Sequence, residues 1–349
     1  MTSRQRRGII TGGTWCVDRN RVVSSWPQED GLAEYLGEER HGGGSGHNLA
    51  VDIKRLDPAM WVETVGLVGD DEEGRFLLSL AAADGIDHEQ MHVSDEAGTH
   101  FTDAFVSRSS RRRTHIFNRG VADLLSPDHF NFERTKARIL HLGLPGIHKR
   151  LDSPFGMDEN GWVAVLRKAR QAGLQTNLEL ASVEGDLLAR LCQPCLPHLD
   201  FLIVNDFEIG AISGLVTLDS GQADVSACEK AARIVLERGA MDVVVVHSPR
   251  VAIAVTRDGR VVSKPSVNIP DALIVGANGA GDAFAAGMLY GLHEGWAIED
   301  GLSLAHAAAA TSLRSISTTT SVERSQACLE LAAKWGWRSQ PLPHSARAV

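Results

Sequence analysis

Gly276-Ala277-Asn278-Gly279-Ala280-Gly281-Asp282-Ala283-Phe284-Ala285-Ala286-Gly287 is the stretch on which the reading of this chain turns, and Met-Leu-Tyr-Gly-Leu-His-Glu-Gly follows it in a helical pattern. Its glycines let successive backbone N–H groups point into one concavity. The run then opens a helix, and a helix N-terminus favours negative charge. Such a turn is built to collect anions. Asp282 stands at the start of that helix, where a carboxylate either caps the helix or serves as a base beside reacting oxygens. The residues alone leave both roles open.

Outward from this turn, short β-rich runs alternate with longer helical patterns, which points to a parallel sheet flanked by helices. Strands are expected at 8–11, 61–68, 139–143, 174–177, 201–204 and 241–247. Helices are expected at 161–171 and 226–238, where apolar residues recur three and four apart. The segments 15–39 and 92–124 break the alternation: they are polar, β-leaning, and expected to leave the main body as a small lid. There is no repeat and no low-complexity linker, so one domain over 1–349 with an inserted lid is the expected organisation. The tail 337–349 reads as loosely held.

Composition narrows the function. Lys and Arg number 35 against 44 Asp and Glu, a formal net charge of −9 over 349 residues, which gives no electrostatic footprint for gripping a nucleic-acid backbone. No apolar run approaches the ~18 residues that span a bilayer, and the start, MTSRQRRGIITGGTWCV, lacks a continuous apolar core, so a cytoplasmic protein without membrane contact is expected. The cysteines Cys16, Cys192, Cys195, Cys228 and Cys328 are scattered and odd in number, unlike a disulfide framework. Cys192-Gln-Pro-Cys195 is a lone CxxC and reads as packed thiols.

Other clusters carry chemistry. Asn205-Asp206-Phe207-Glu208 follows the strand Phe-Leu-Ile-Val, at the sheet end where open α/β folds bind ligands. Asn205 and Glu208 suit Mg²⁺ or its waters, and suit equally a helix cap with an acid three residues on. Gly42-Gly43-Gly44-Ser45-Gly46-His47-Asn48-Leu49-Ala50 allows close backbone approach to a ligand, with Asn48 able to donate and accept to a polyol. Asp18 is a lone carboxylate after the first strand, and reads more readily as a solvated charge. His88-Glu89-Gln90-Met91-His92 has the zinc-protease spacing, but it follows a helix end and leans to β. In a strand those histidines would stand roughly 13 Å apart, too far for one metal. Arg111-Arg112-Arg113 reads as a solvated hairpin turn. A Walker A loop, the protein-kinase motifs and a dinucleotide GxGxxG are absent from the sequence.

Taken together these pieces resemble the ribokinase family of carbohydrate kinases, also called the PfkB family. Gly43 to Ala50 is similar to its first signature and Gly276 to Asp282 to its second. Asn205 to Glu208 matches its NxxE motif, and Gly66-Leu67-Val68-Gly69-Asp70-Asp71 its GxVGDD turn. The resemblance runs over about residues 8–320. It implies a ribokinase-like three-layer αβα sandwich with a central, mostly parallel sheet and a small β-rich lid. It also implies transfer of the γ-phosphoryl group of ATP to a primary alcohol of a sugar or of a nucleoside's ribose. On that reading Asp282 is the general base, Gly279, Ala280 and Gly281 hold the transferring group, and Asn205 and Glu208 organise Mg²⁺. Asp18, Gly43, Gly44 and Asn48 match positions that hold substrate hydroxyls. Asn278, in the second signature, and His306, in Ala305-His306-Ala307-Ala308-Ala309-Ala310, belong with the nucleotide, His306 being as readily a satisfied helix histidine.

The sequence departs from the family pattern in places. Gly276 and Ala277 stand where Asp and Thr are usual, so the resemblance carries no monovalent-cation site to this chain. The nucleotide loop's VTLGxxG is replaced by Val246-His247-Ser248-Pro249-Arg250-Val251. Ser45 in place of lysine is similar to the adenosine-kinase form of the first signature, which tilts the reading to nucleosides. Trp15, Trp26, Tyr35, Phe101, Phe105 and Phe117 are candidates to stack on a base. A homodimer through the lid occurs in the family. A ligand-sensing protein that kept the fold without catalysis is the alternative function.

Overall fold

The computed structural model describes residues 6–110, 112–181 and 183–339. The chain begins with β1 (Ile9–Gly13) and leaves at once into β2 (Cys16–Val23) and β3 (Tyr35–Gly43). It returns through α1 (Ser45–Leu56), β4 (Val62–Gly69), α2 (Glu72–Ala83) and β5 (Asp87–Ser94), then departs again as β6 (Phe101–Ser107) and β7 (Arg113–Asn118). From there β8 (Ile139–Gly143), α3 (Gly161–Gln171), β9 (Gln175–Leu178), α4 (Gly185–Cys192), β10 (Phe201–Asn205) and α5 (Asp206–Ser213) alternate. A two-residue ladder, β11 (Leu218–Asp219) with β12 (Gln222–Ala223), precedes α6 (Val225–Arg238) and β13 (Val243–His247). The chain finishes with the hairpin β14 (Val251–Thr256) and β15 (Val261–Pro265), then α7 (Ala280–Glu294), α8 (Ile298–Ser312) and α9 (Ser325–Trp335).

Nine strands form the main sheet in the order β15-β14-β13-β10-β9-β8-β1-β4-β5. All pairings from β13 to β5 are parallel, and only the β14–β15 edge runs antiparallel. Both faces are covered, as a parallel sheet requires. Residues of α1, α2, α7, α8 and α9 pack on one face and residues of α3 to α6 on the other. The valine run of β13 shows why it is central: Val243 and Val245 face one layer while Val244 and Val246 face the other. Starting at β1, the chain lays β4 and β5 to one side and β8, β9, β10 and β13 to the other. The order therefore reverses at β1 and β8, the place where such sheets leave a crevice at their carboxyl ends.

The second sheet, β3-β2-β6-β7, is mixed, because β2 and β6 pair in parallel while its outer pairs are antiparallel. Ion pairs tie it to α2: Arg19 to Glu73, and Arg40 to Glu72 at 3.1 Å, with Arg40 also 4.3 Å over the Phe76 ring. It differs from the segments read in the sequence. Residues 92–94 belong to β5, whose register along β4 continues to Ser94, and β3 runs on to Gly43, so the first signature begins inside this sheet. Residues 120–124 form a 3₁₀ turn with Val121 and Ala122 buried. The tail is held at its start, where Trp337 bridges Val267 and Arg338 N–H donates to Ser266 O at 2.8 Å. Residues 340–349 lie outside the described residues.

His88 and His92 stand in β5, where His88 Nδ1 donates to Ile86 O and His92 Nε2 donates to His129 O. Among the described residues no group of three or more His, Cys, Asp or Glu is arranged to hold a metal. Cys192 and Cys195 are buried free thiols. Arg112 is exposed in the turn before β7, while Arg111 lies outside the described residues. Among the described residues no helix is long and apolar enough to cross a membrane.

Candidate active site

Asp282 is in the first turn of α7, whose cap is Gly279 in the left-handed region at φ 76°. A Cβ on Gly279 would run into the backbone carbonyl of Thr318, so glycine is required on both counts. The N–H groups of this first turn have no carbonyl four residues back inside the helix, and Gly281 is exposed. The glycine-rich turn inferred from the sequence is thus formed, and it stands at a helix N-terminus.

The two glycine-rich motifs meet. Asn48, in the first turn of α1, donates through Nδ2 to Asp282 Oδ2 at 2.9 Å across 234 residues of sequence. Its Oδ1 accepts from Thr318 Oγ1 at 2.9 Å and lies 3.0 Å from His47 Nδ1. Asn48 therefore spends most of its hydrogen-bonding capacity on orienting Asp282, and only one N–H remains for a ligand. Gly43 lies against Asp18, whose carboxylate a Cβ there would strike. Asp18 is no solvated charge: burial pushes its carboxyl up to about 6. It lines a cavity of about 40 Å³ with Asn20, His41, Thr102, His115 and Asn278. That is room for little more than a water, so this pocket is nearly closed. Asn278, read with the nucleotide, opens onto this pocket rather than the larger one.

The aromatic residues expected over a base are elsewhere. Trp15 is 2% exposed, donates to Thr64 Oγ1 at 2.8 Å and packs on His47, so it belongs to the core. Phe101 lies under Arg19, and Trp26 packs on Phe105. None of these, nor Tyr35 or Phe117, lines the small pocket.

On the other side of Gly281 lies a cavity of about 560 Å³, bordered by Asn205, Phe207, His247, Ile274, Phe284 and His306 among others. Its size is that of an ordinary small-molecule site. His247 lies on the face of Phe284 with ring centroids 4.7 Å apart, and His306 meets the same ring edge-on at 5.1 Å. His306 Nε2 also donates to Lys264 O at 3.0 Å, so it is at once a satisfied helix histidine and part of the cavity wall. Burial holds both imidazoles near 4, hence neutral. Asn205 and Glu208 make a reciprocal cap: Asn205 Oδ1 accepts from Glu208 N–H and Glu208 Oε2 accepts from Asn205 N–H, each at 2.8 Å. Burial pushes the Glu208 carboxyl up to about 7.

Glu179, just past β9, was not singled out from the sequence. Its carboxyl and that of Asp282 act on each other's proton, and burial pushes Glu179 up to about 7. Burial first, then the charge of Glu179, hold Asp282 well above the usual carboxylate range. The one signal for it in the sequence is Thr176-Asn177, polar residues inside a strand that is otherwise buried. The charge of Glu208 also raises Glu179, and that of Asp282 raises Glu208, so the three carboxyls act on one another.

The family model described as pfkB family carbohydrate kinase matches residues 9–325. A 5-dehydro-2-deoxygluconokinase of Clostridium beijerinckii is 25% identical over 319 residues, covering 88% of this chain and 87% of that protein. An adenosine kinase of Schizosaccharomyces pombe is 25% identical over 279 residues, covering 76% and 77%. Among solved structures, Arabidopsis thaliana ribokinase complexed with ribose and ATP superposes with a TM-score of 0.75 at 19% identity, covering 94% of this chain and 99% of that one.

Proposed function

This chain belongs to the pfkB family of carbohydrate kinases, and from that premise we propose that it phosphorylates a primary hydroxyl of a small carbohydrate with ATP, Asp282 acting as general base. The observation that carries the reading is the position of Asp282. It is held by Asn48 at 2.9 Å in the first turn of α7, and of its neighbours Gly281 lines the larger cleft while Asn278 lines the small polar pocket. A base so placed reaches an acceptor hydroxyl from one side and a phosphoryl group from the other.

In this reading Asp18, Asn20 and Thr102 hold acceptor hydroxyls, with Gly43 and Gly44 giving the backbone approach. The first-turn N–H groups at Ala280 and Gly281 neutralise the charge that spreads over the transferring phosphoryl. The nucleotide occupies the larger cleft, its base toward His306 and the Phe207 side. Glu208, with Asn205, would hold Mg²⁺ or its waters, and the ion would offset phosphate charge. The sheet β3-β2-β6-β7 serves as a lid that lifts to admit the acceptor and closes to exclude water, since the pocket under it is too small as it stands. Pairing of two copies through this sheet is compatible with the reading.

The polar, narrow lining favours a free sugar or sugar acid, in keeping with the 5-dehydro-2-deoxygluconokinase relative. The nucleoside reading, suggested by Ser45 in the first signature, keeps the adenosine kinase relative as its support. Coupled ADP release with Mg²⁺-ATP over a panel of hexoses, pentoses, sugar acids and nucleosides tests both, with Asp282→Asn as control. Turnover on one class that is lost in the variant is the expected result. Nucleotide binding without turnover on any member would favour the ligand-sensing alternative.

A further inference from the structure

A third cavity, an open groove of about 710 Å³, has no part in the roles above. It lies where the last turn of α1, the end of α2 and the segment entering α9 meet, and it shares no lining residue with the other two. Four cations line it, Lys54, Arg55, Arg314 and Arg324, against two acids, Asp84 and Glu323. On a chain of formal net charge −9 such a local excess of positive charge draws anions. Glu323 is already spent, because Arg314 holds it at 2.7 Å and also donates to Ser321 O at 2.9 Å. Lys54 gives two of its N–H bonds to Pro58 O and Met60 O, at 2.7 and 3.1 Å, which leaves one. Among the described residues Arg55 and Arg324 are in no ion pair, and Arg55 Nε is enclosed without a hydrogen-bond partner. Asp84 feels the charges of Arg55 and Lys54 but is bonded to neither. An enclosed donor without an acceptor is costly, so the groove is short of an anion. Guanidinium forks match the oxygens of a phosphate, and Pro58 and Ala83 offer apolar area to a carbon skeleton.

One loop joins this groove to the small pocket. Arg314 and residues 320–324 line the groove, while Ile316, Ser317 and Thr318, which lie between them in sequence, line the small pocket. Thr318 Oγ1 donates to Asn48 Oδ1 at 2.9 Å, and its backbone packs on Gly279. Arg314 closes the loop by binding Ser321 O and Glu323 across it, and Ser315 Oγ meets Thr320 Oγ1 at 2.8 Å. We propose that the groove is a second, non-catalytic site for an organic phosphate monoester, held by Arg55, Arg324 and the remaining Lys54 N–H, and that its occupancy weakens the acceptor pocket through this loop. A dianion there competes with Glu323 for Arg314, which loosens the clamp, and Thr318 then holds Asn48 less firmly. The site itself is independent of the kinase reading, whereas the coupling rests on it. Coupling is reciprocal, so the acceptor weakens the monoester by the same factor.

The probes are glucose 6-phosphate and inorganic phosphate, each titrated calorimetrically into the full chain with Mg²⁺-ADP at saturation, so that the donor cleft is filled. Arg324→Glu reverses an exposed charge of the groove, and Arg55→Gln removes a half-buried one. Glucose 6-phosphate is expected to bind the wild type and to bind each variant about 10-fold or more weakly. Without the monoester, kcat and both KM values of Arg324→Glu should stay within about 2-fold of wild type, since that side chain touches neither pocket. With the acceptor found by the ADP-release panel, saturating glucose 6-phosphate should raise the acceptor KM of the wild type about 5-fold or more, leave KM for ATP alone, and do nothing in Arg324→Glu. Failure of glucose 6-phosphate to bind sinks the site. Equal affinity in the wild type and both variants puts the ligand elsewhere and sinks it as surely. Inorganic phosphate binding as tightly as the monoester overturns the organic ligand, and binding at the groove with no change in acceptor KM overturns the coupling. A wild-type protein that turns over no acceptor fails the kinase reading instead, and the calorimetry still decides the site.

Discussion

The two cavities beside Asp282 are built in opposite ways. The proposed acceptor side is small, polar and cross-braced, its groups held by partners from β2, β3, α1 and the loop at Thr318. The proposed donor side is far larger, about 560 Å³ against about 40 Å³, and is lined largely by apolar groups such as Phe207, Ile274 and Phe284, with Asp206, Arg338 and the helix start as its charged features. Hydrogen bonds to a polyol demand fixed geometry, because an unmatched buried polar group is penalised. A nucleotide base needs mainly area, and its phosphates need N–H groups and a cation. Errors on the acceptor side should therefore cost much more than equal errors on the donor side.

That contrast can be broken in several places. Asp282→Asn should have the largest effect, a loss of about 10²- to 10⁴-fold in kcat with nucleotide binding retained, read by ADP release and by nucleotide titration. Loss of nucleotide binding would instead make Asp282 a donor-side residue. Gly43→Ala, which puts a methyl into the Asp18 carboxylate, should raise KM for the acceptor about 10- to 100-fold and leave KM for ATP unchanged. If both constants rise together, the two sides are not separable. Phe207→Ala removes a half-exposed wall of the donor cleft and should weaken ATP only about 2- to 5-fold.

The smallest effect is one of stability. Glu179 is raised from 4.5 to about 7 in the fold, so a folded chain binds its proton more tightly than an unfolded one. Its contribution is full below about 4.5 and is lost as pH rises through about 7. Glu179→Gln has no such loss, so its melting temperature relative to wild type should rise between pH 5 and pH 8 by about 1–3 °C. The difference between variants is the quantity to measure, because the buried His47, His141, His247 and His306, each lowered to about 4, tilt both proteins the opposite way. An unchanged difference across that range would mean that burial does not raise the Glu179 carboxyl in the fold.

Much of this protein was legible from local pattern. Strand 139–143 and helix 161–171 agree with the structure to the residue, because an apolar run and a period of 3.6 are written in neighbouring positions. The Gly279 to Asp282 turn and the cap of Asn205 with Glu208 are legible for the same reason, each closing within a few residues. The ends of the second sheet were not, since β5 extends to Ser94 and β3 to Gly43 only because partner strands continue beside them.

By itself, then, the sequence determined the alternating architecture, the glycine-rich turn before α7 and the family. Tertiary structure alone decided which atoms are already taken. Asn48 looked free to serve a ligand, and it is bound to Asp282 and Thr318; Trp15 looked free to stack, and it is in the core. His141 and Glu179 are 38 residues apart, and no periodicity marks them as partners. Propensity acts between neighbours along the chain, whereas a hydrogen bond across two strands exists only once the sheet order places them side by side and burial removes the water that would otherwise compete.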